Sequence, residues 1–109
     1  MNMATMSEVR IPEREQMKSI LSNERECYVC GYTEGLHKHH IFYGRGIRPI
    51  SEKHGCWVYL CYRHHNMSDY GVHFNHLLDM ELKQTCQKEW EKRNGTREDF
   101  IRTFGKSYL

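Results

Sequence analysis

A chain of 109 residues with a formal charge of +2 fits one small domain, and its lack of any run of about 18 apolar residues excludes a membrane-spanning helix. Five cysteines are an odd number, so a purely intrachain disulfide framework would leave one thiol over. The small positive charge permits a nucleic-acid partner without requiring one.

Residues 1–10 lack periodicity and read as a tail, with a single domain over 11–109. They also lack a basic segment followed by an apolar run, so no secretory signal is expected. A reducing cytoplasm follows, where paired cysteines bind metal more often than they form disulfides. Pro12 suits the first turn of a helix over 12–22, with Met17, Ile20 and Leu21 as its apolar stripe. Cys27 to Gly31 reads as a tight knuckle. Residues 36–43 read as a strand that Gly44, Gly46 and Pro49 break into a loop. Residues 57–60, Trp-Val-Tyr-Leu, read as a second strand. The two strands can pair as an antiparallel hairpin whose long connection carries Arg45, Arg48 and Lys53. These three side chains either contact phosphates or are simply solvated.

A short helix is expected over 62–67 and a long one over 79–93, with Leu82, Cys86 and Trp90 four apart on one face and Gly95 at its end. Thr96 and Asp99 resemble a capping box that opens a last helix ending near 105, with Phe100, Ile101 and Phe104 inward. The fold class is therefore α+β, with a hairpin, flanking N- and C-terminal helices, and a core too poor in aliphatic residues to do without a staple.

Cys27-x2-Cys30 and Cys61-x2-His64 supply that staple. A two-residue gap lets both side chains of a knuckle reach one tetrahedral ion, and two such pairs make a structural zinc clip. His65 competes with His64 for the fourth place. Cys56 and Cys86 lack this spacing and read as core thiols. A redox role for Cys27 and Cys30 would need a thioredoxin-like βαβ context, which the flanking hairpin does not offer.

Between the knuckles lies Leu36-His37-Lys38-His39-His40-Ile41, and Leu60-Cys61-Tyr62-Arg63-His64-His65 follows the second strand. These two segments, in this order, resemble the HNH nuclease family over about residues 27–76, and most closely its small phage and prophage members. The resemblance implies a ββα-metal core and hydrolysis of phosphodiester bonds in DNA, with a 5′-phosphate and a 3′-hydroxyl as products. His39 matches the first ligand of a catalytic divalent ion, His65 the ligand on the helix, and His40 the general base that deprotonates water. A bacterial host cell would then be the compartment. Where the family carries its middle Asn, five residues before Cys61, this chain has Cys56. The group that orients the base is left to a backbone carbonyl or a neighbouring residue.

Adjacent strand residues face opposite sides, so His39 and His40 can hold different tasks, and His37 shares a side with His39. Asn66, next to His65, could be a ligand or a helix-surface residue. Ser68, Asp69 and Gly71 are turn formers that could fold the chain back and bring His73 beside His39 and His65. His73 could equally face water at a helix start. Three imidazoles would suit Mn²⁺, Ni²⁺ or Zn²⁺ better than Mg²⁺. The competing function is a zinc-stabilised nucleic-acid-binding module without catalysis; the His39-His40 pair favours the enzyme.

Overall fold

The computed structural model describes residues 17–66, 71–73 and 75–109. The expected tail at 1–10 and the first part of the expected N-terminal helix lie outside them. Two four-residue strands, β1 (His37–His40) and β2 (Trp57–Leu60), pair antiparallel with His37 opposite Leu60 and His40 opposite Trp57. Among the described residues four helices complete the order: α1 (Arg48–Lys53) between the strands, then α2 (Tyr62–Asn66), α3 (His76–Asn94) and α4 (Arg97–Phe104). The architecture is a small α+β arrangement with one two-stranded sheet. Among the described residues no helix is long and apolar enough to cross a membrane.

Residues 17–22 are not helical, which corrects the expected N-terminal helix over its described part. Ser19 diverts the backbone. Its hydroxyl accepts from the N–H of Leu21 and Ser22 and donates to the Trp57 carbonyl at 2.6 Å. A side chain that bonds its neighbours' backbone this way competes with the helical ladder. Ile20 then donates to Gly55 O at 2.9 Å, so the segment lies along the turn before β2. Gly55 has φ +72°, and a Cβ there would sit 2.3 Å from the Lys18 carbonyl oxygen. Only glycine allows both that backbone conformation and that approach.

β1 is shorter than the expected strand because Phe42 gives its N–H to Ser51 Oγ at 3.2 Å rather than to a strand partner. The connection is not the loop expected from Gly44, Gly46 and Pro49, because α1 occupies it. Proline fits the first turn of a helix, where its missing N–H has no partner to lose. Ser51 within α1 is fully buried and donates to the Cys56 carbonyl at 2.6 Å. That bond ties α1 to the start of β2.

The core gathers Ile41, Phe42, Val58 and Leu60 from the hairpin with Leu82, Cys86 and Trp90 from α3 and Phe100 and Phe104 from α4. Phe42 packs edge-on against Phe100, and Phe100 stacks on Phe104 with centroids 4.6 Å apart. The expected stripe of α3 is buried, and Thr96 with Asp99 forms the capping box of α4. Ile101 is 39% exposed, against the expectation that it turns inward. Phe100 and Phe104, four apart, already fill the one inward face of so short a helix; Ile101 lies about 100° further round. Gln87 is fully buried and fully used: its amide donates to Ser107 Oγ at 3.0 Å and accepts from Tyr108 N at 2.7 Å. This clamps the chain after α4 onto α3.

Candidate metal centres

The first centre begins at the 27–31 knuckle. Gly31 N bonds Cys27 O at 2.8 Å, and Tyr28 N bonds Tyr59 O at 2.8 Å, which stitches the turn to β2. Gly31 closes it at φ +81°, a conformation side chains disfavour. From the far end of β2, Cys61 and the first turn of α2 supply the other half. Cys30 Sγ lies 3.8 Å from Cys61 Sγ, Cys27 Sγ 3.7 Å from His64 Nδ1, and Cys61 Sγ 3.4 Å from His64 Nδ1. A tetrahedral ion with arms of about 2.3 Å spaces its ligands roughly 3.8 Å apart. Cys27, Cys30, Cys61 and His64 therefore lie close enough together to hold a metal such as zinc. Burial raises the Cys27 thiol, but backbone hydrogen bonds at Cys61, Cys30 and Val29 outweigh it and bring the pKa below its ordinary value. This favours the thiolate that a metal needs.

Cys56 and Cys86 stand apart as fully buried core residues. A hydrogen bond to Cys56, with burial, pushes the Cys86 thiol up, so it stays neutral.

The second centre uses the next residue of the same helix. Neighbours on an α-helix point about 100° apart, so His64 and His65 reach different clusters. His39, His65 and His73 bring their ligand atoms within 4.8 Å of one another. His73 arrives because Val72 N bonds His64 O at 2.7 Å, folding the chain back onto α2. The turn formers Ser68 and Asp69 lie outside the described residues. His65 Nε2 is 3.1 Å from His73 Nε2. An ion with arms of about 2.1 Å needs ligand atoms roughly 3.0–3.4 Å apart, so this spacing suits one. His39 is 3% exposed, and its Nε2 is buried with no hydrogen-bond partner among the described residues. A buried lone pair beside two other imidazoles is a fitting donor for a metal ion.

The imidazoles of the buried His39 and the half-buried His65 are held neutral. Burial, and then the neighbouring His65 and His73, bring His39 down to about 3. Burial, with His73, His37 and Arg48 nearby, brings His65 down to about 4. Neutral imidazole is the form that ligates. His37 stands behind this set rather than in it, its Nδ1 2.9 Å from His65 Nδ1. That contact leaves His65 Nε2 for an ion. Asn66 Nδ2 lies 3.4 Å from His37 Nδ1, so Asn66 belongs to the same outer layer.

A cavity of about 210 Å³ opens at the second centre, lined by Lys38, His39, His40, Tyr43, Arg48, His65 and His73. Of the three basic residues on the connection, Arg48 lines it, while Arg45 and Lys53 are exposed elsewhere on the same segment. The Tyr43 wall is fixed from behind. Its hydroxyl donates to Asp79 at 2.8 Å, and Lys83 pairs with Asp79 at 2.9 Å while lying over the Tyr43 ring. Burial alone would lower the Lys83 pKa, but the Asp79 carboxylate more than offsets it and raises it.

His40 leaves β1 on the face opposite His39 yet also lines the cavity edge, and its Nε2 meets Glu52 Oε1 at 2.7 Å. Cys56, at the position where an Asn was expected, is buried in the core, with its Sγ 3.9 Å from the His54 carbonyl. Glu52 and Lys83 escape a sequence reading because no fixed spacing links Glu52 to His40 or Lys83 to Tyr43. Comparison with family models, with curated proteins and with solved structures finds no match to this chain.

Proposed function

We propose that this chain is a metal-dependent nuclease of the HNH kind, with β1, β2 and α2 as a ββα-metal core and DNA as the substrate. The observation that carries this reading is the orphaned, buried Nε2 of His39 beside His65 and His73, with His40 on the same cavity. Three imidazoles leave coordination positions open, as a catalytic centre requires, whereas the Cys3His set fills a tetrahedron with protein atoms. A divalent ion held by His39, His65 and His73 would stabilise the negative charge that develops on the phosphate and on the leaving oxygen.

The chain's own groups do the rest. His40 takes a proton from a water molecule, whose oxygen forms a bond to phosphorus as the bond from phosphorus to the 3′ oxygen breaks. The leaving oxygen takes a proton from solvent, so the products are a 5′-phosphate and a 3′-hydroxyl. Arg48 at the cavity is placed to hold a phosphate oxygen, with Arg45 and Lys53 further along the same segment. The Cys27, Cys30, Cys61 and His64 clip is a structural zinc site that anchors the start of α2 and hence His65.

The test is nicking of supercoiled plasmid by zinc-loaded protein with added Mn²⁺, Ni²⁺ or Mg²⁺, with and without chelator. Nicking that depends on the added ion, stronger with Mn²⁺ or Ni²⁺ than with Mg²⁺, is expected from an imidazole-only set. Folded, zinc-loaded protein that binds DNA but nicks with none of these ions would overturn the enzyme and leave the non-catalytic binding module.

A further inference from the structure

Glu52 lies on α1, twelve residues along the chain from His40, yet its carboxylate joins two residues of β1. Oε1 meets His40 Nε2 at 2.7 Å, and Oε2 accepts from Lys38 Nζ at 3.0 Å. Lys38 and His40 are alternate residues of one strand, so they share the face that α1 covers. Lys38 is itself held over the Trp57 ring at 4.3 Å. The neighbouring Ser51 anchors α1 to the hairpin, accepting from Phe42 N and donating to Cys56 O. The carboxylate is therefore fixed with respect to the strand it serves.

An ionised carboxylate can only accept hydrogen bonds. Burial raises the Glu52 pKa, but the bonds from His40 and Lys38 outweigh that and hold it below the ordinary value, so the group is ionised at neutral pH. His40 Nε2 must then carry a hydrogen, and in the neutral ring the lone pair is on Nδ1. This removes the ambiguity that ring nitrogens otherwise leave.

Building on the reading of His40 as the base, we propose that Glu52 is the positioning residue of that base, holding the imidazole in one orientation and one tautomer and stabilising the imidazolium formed when Nδ1 takes a proton. Glu52 lines no part of the cavity and touches no reacting atom; it acts through His40. Lys38, through the second oxygen, keeps the carboxylate turned toward the strand.

The test compares Glu52→Ala and Glu52→Gln with the parent protein, zinc-loaded and at full length. Long-range imidazole ¹H–¹⁵N correlation spectra should show His40 as the Nε2–H tautomer in the parent and as a mixture in Glu52→Ala. Plasmid nicking with Mn²⁺ should fall in kcat by about 10–100-fold in Glu52→Ala, the usual loss for an outer-shell partner, with KM unchanged. Glu52→Gln, which keeps one acceptor oxygen, should recover part of both the tautomer and the rate. Should Glu52→Ala fail to fold, Glu52→Gln and the parent spectrum still decide. An Nδ1–H tautomer in the parent, or a Glu52→Ala variant with the parent's tautomer and kcat, would overturn the proposal. If the parent does not nick at all, the nuclease reading fails on its own, while the His40 tautomer in the parent and variants still decides the positioning.

Discussion

Two clusters that could each hold a metal ion take neighbouring residues of α2, His64 and His65, and they differ in nearly every property that matters. The Cys27, Cys30, Cys61 and His64 set offers four protein donors, three of them cysteine sulfurs, spaced like the corners of one tetrahedron. The His39, His65 and His73 set offers three imidazoles beside a cavity. A closed, sulfur-rich shell holds its ion tightly and has no position left for chemistry. An open, nitrogen-only shell holds its ion more weakly and leaves room for water and phosphate. Consecutive residues, His64 and His65, divide between the two, so an ion in the clip fixes the helix turn that aims His65.

The largest effect expected from this contrast is structural. Cys61→Ser should release the clip ion and unfold the hairpin, because structural zinc supplies folding energy on the order of 10 kcal/mol. Metal analysis and circular dichroism check it: the variant should be zinc-free and unfolded, and a folded variant with the parent's stability would make the clip dispensable. His40→Ala should do the opposite, leaving fold and metal content intact. Its cleavage rate should drop by roughly 10²–10⁴, the usual worth of a general base. Cleavage at the parent rate would remove His40 from the chemistry.

A smaller effect separates the centres by pH. His39 and His65 have folded pKa values of about 3 and about 4, below the ordinary value of 6.5. Between those values and 6.5 the unfolded chain binds more protons than the folded one, so stability falls as pH drops through that window. Above 6.5 both forms are neutral and the penalty is absent. Protein without an ion at the histidine centre should therefore unfold at lower urea at pH 5 than at pH 7. Ni²⁺ should raise the midpoint at both pH values, because His39 and His65 are already neutral in the folded state at pH 5. A midpoint that rises on acidification would contradict the assigned shifts.

Much of this was legible in the sequence where a fixed spacing carries the physics. The two-residue gaps mark the clip, the four-residue stripe of Leu82, Cys86 and Trp90 marks α3, and Thr96 with Asp99 marks the start of α4. Alternation along β1 separates His39 from His40. What escaped depends on contacts between segments. α1 is six residues long, too short for periodicity to show, and Pro49 reads equally as a breaker or as a first-turn residue. Glu52 became visible only once α1 was laid across β1. Met17 to Ser22 has an apolar stripe, but Ser19's bond to Trp57 O, which no local pattern encodes, decides its course. The return of His73 was legible as one of two readings from the turn formers Ser68, Asp69 and Gly71, and the bond from Val72 N to His64 O accompanies it.

The contrast between a closed and an open centre is tested most directly by anomalous diffraction from zinc-loaded crystals soaked in Ni²⁺, recorded at both absorption edges. Zinc alone is expected among Cys27, Cys30, Cys61 and His64, with sulfur at about 2.3 Å. Nickel is expected about 2.1 Å from one nitrogen each of His39, His65 and His73, with water completing its shell. A histidine cluster that stays free of nickel at millimolar concentration, or an ion there that His39 does not reach, would contradict the second centre and the chemistry proposed for it.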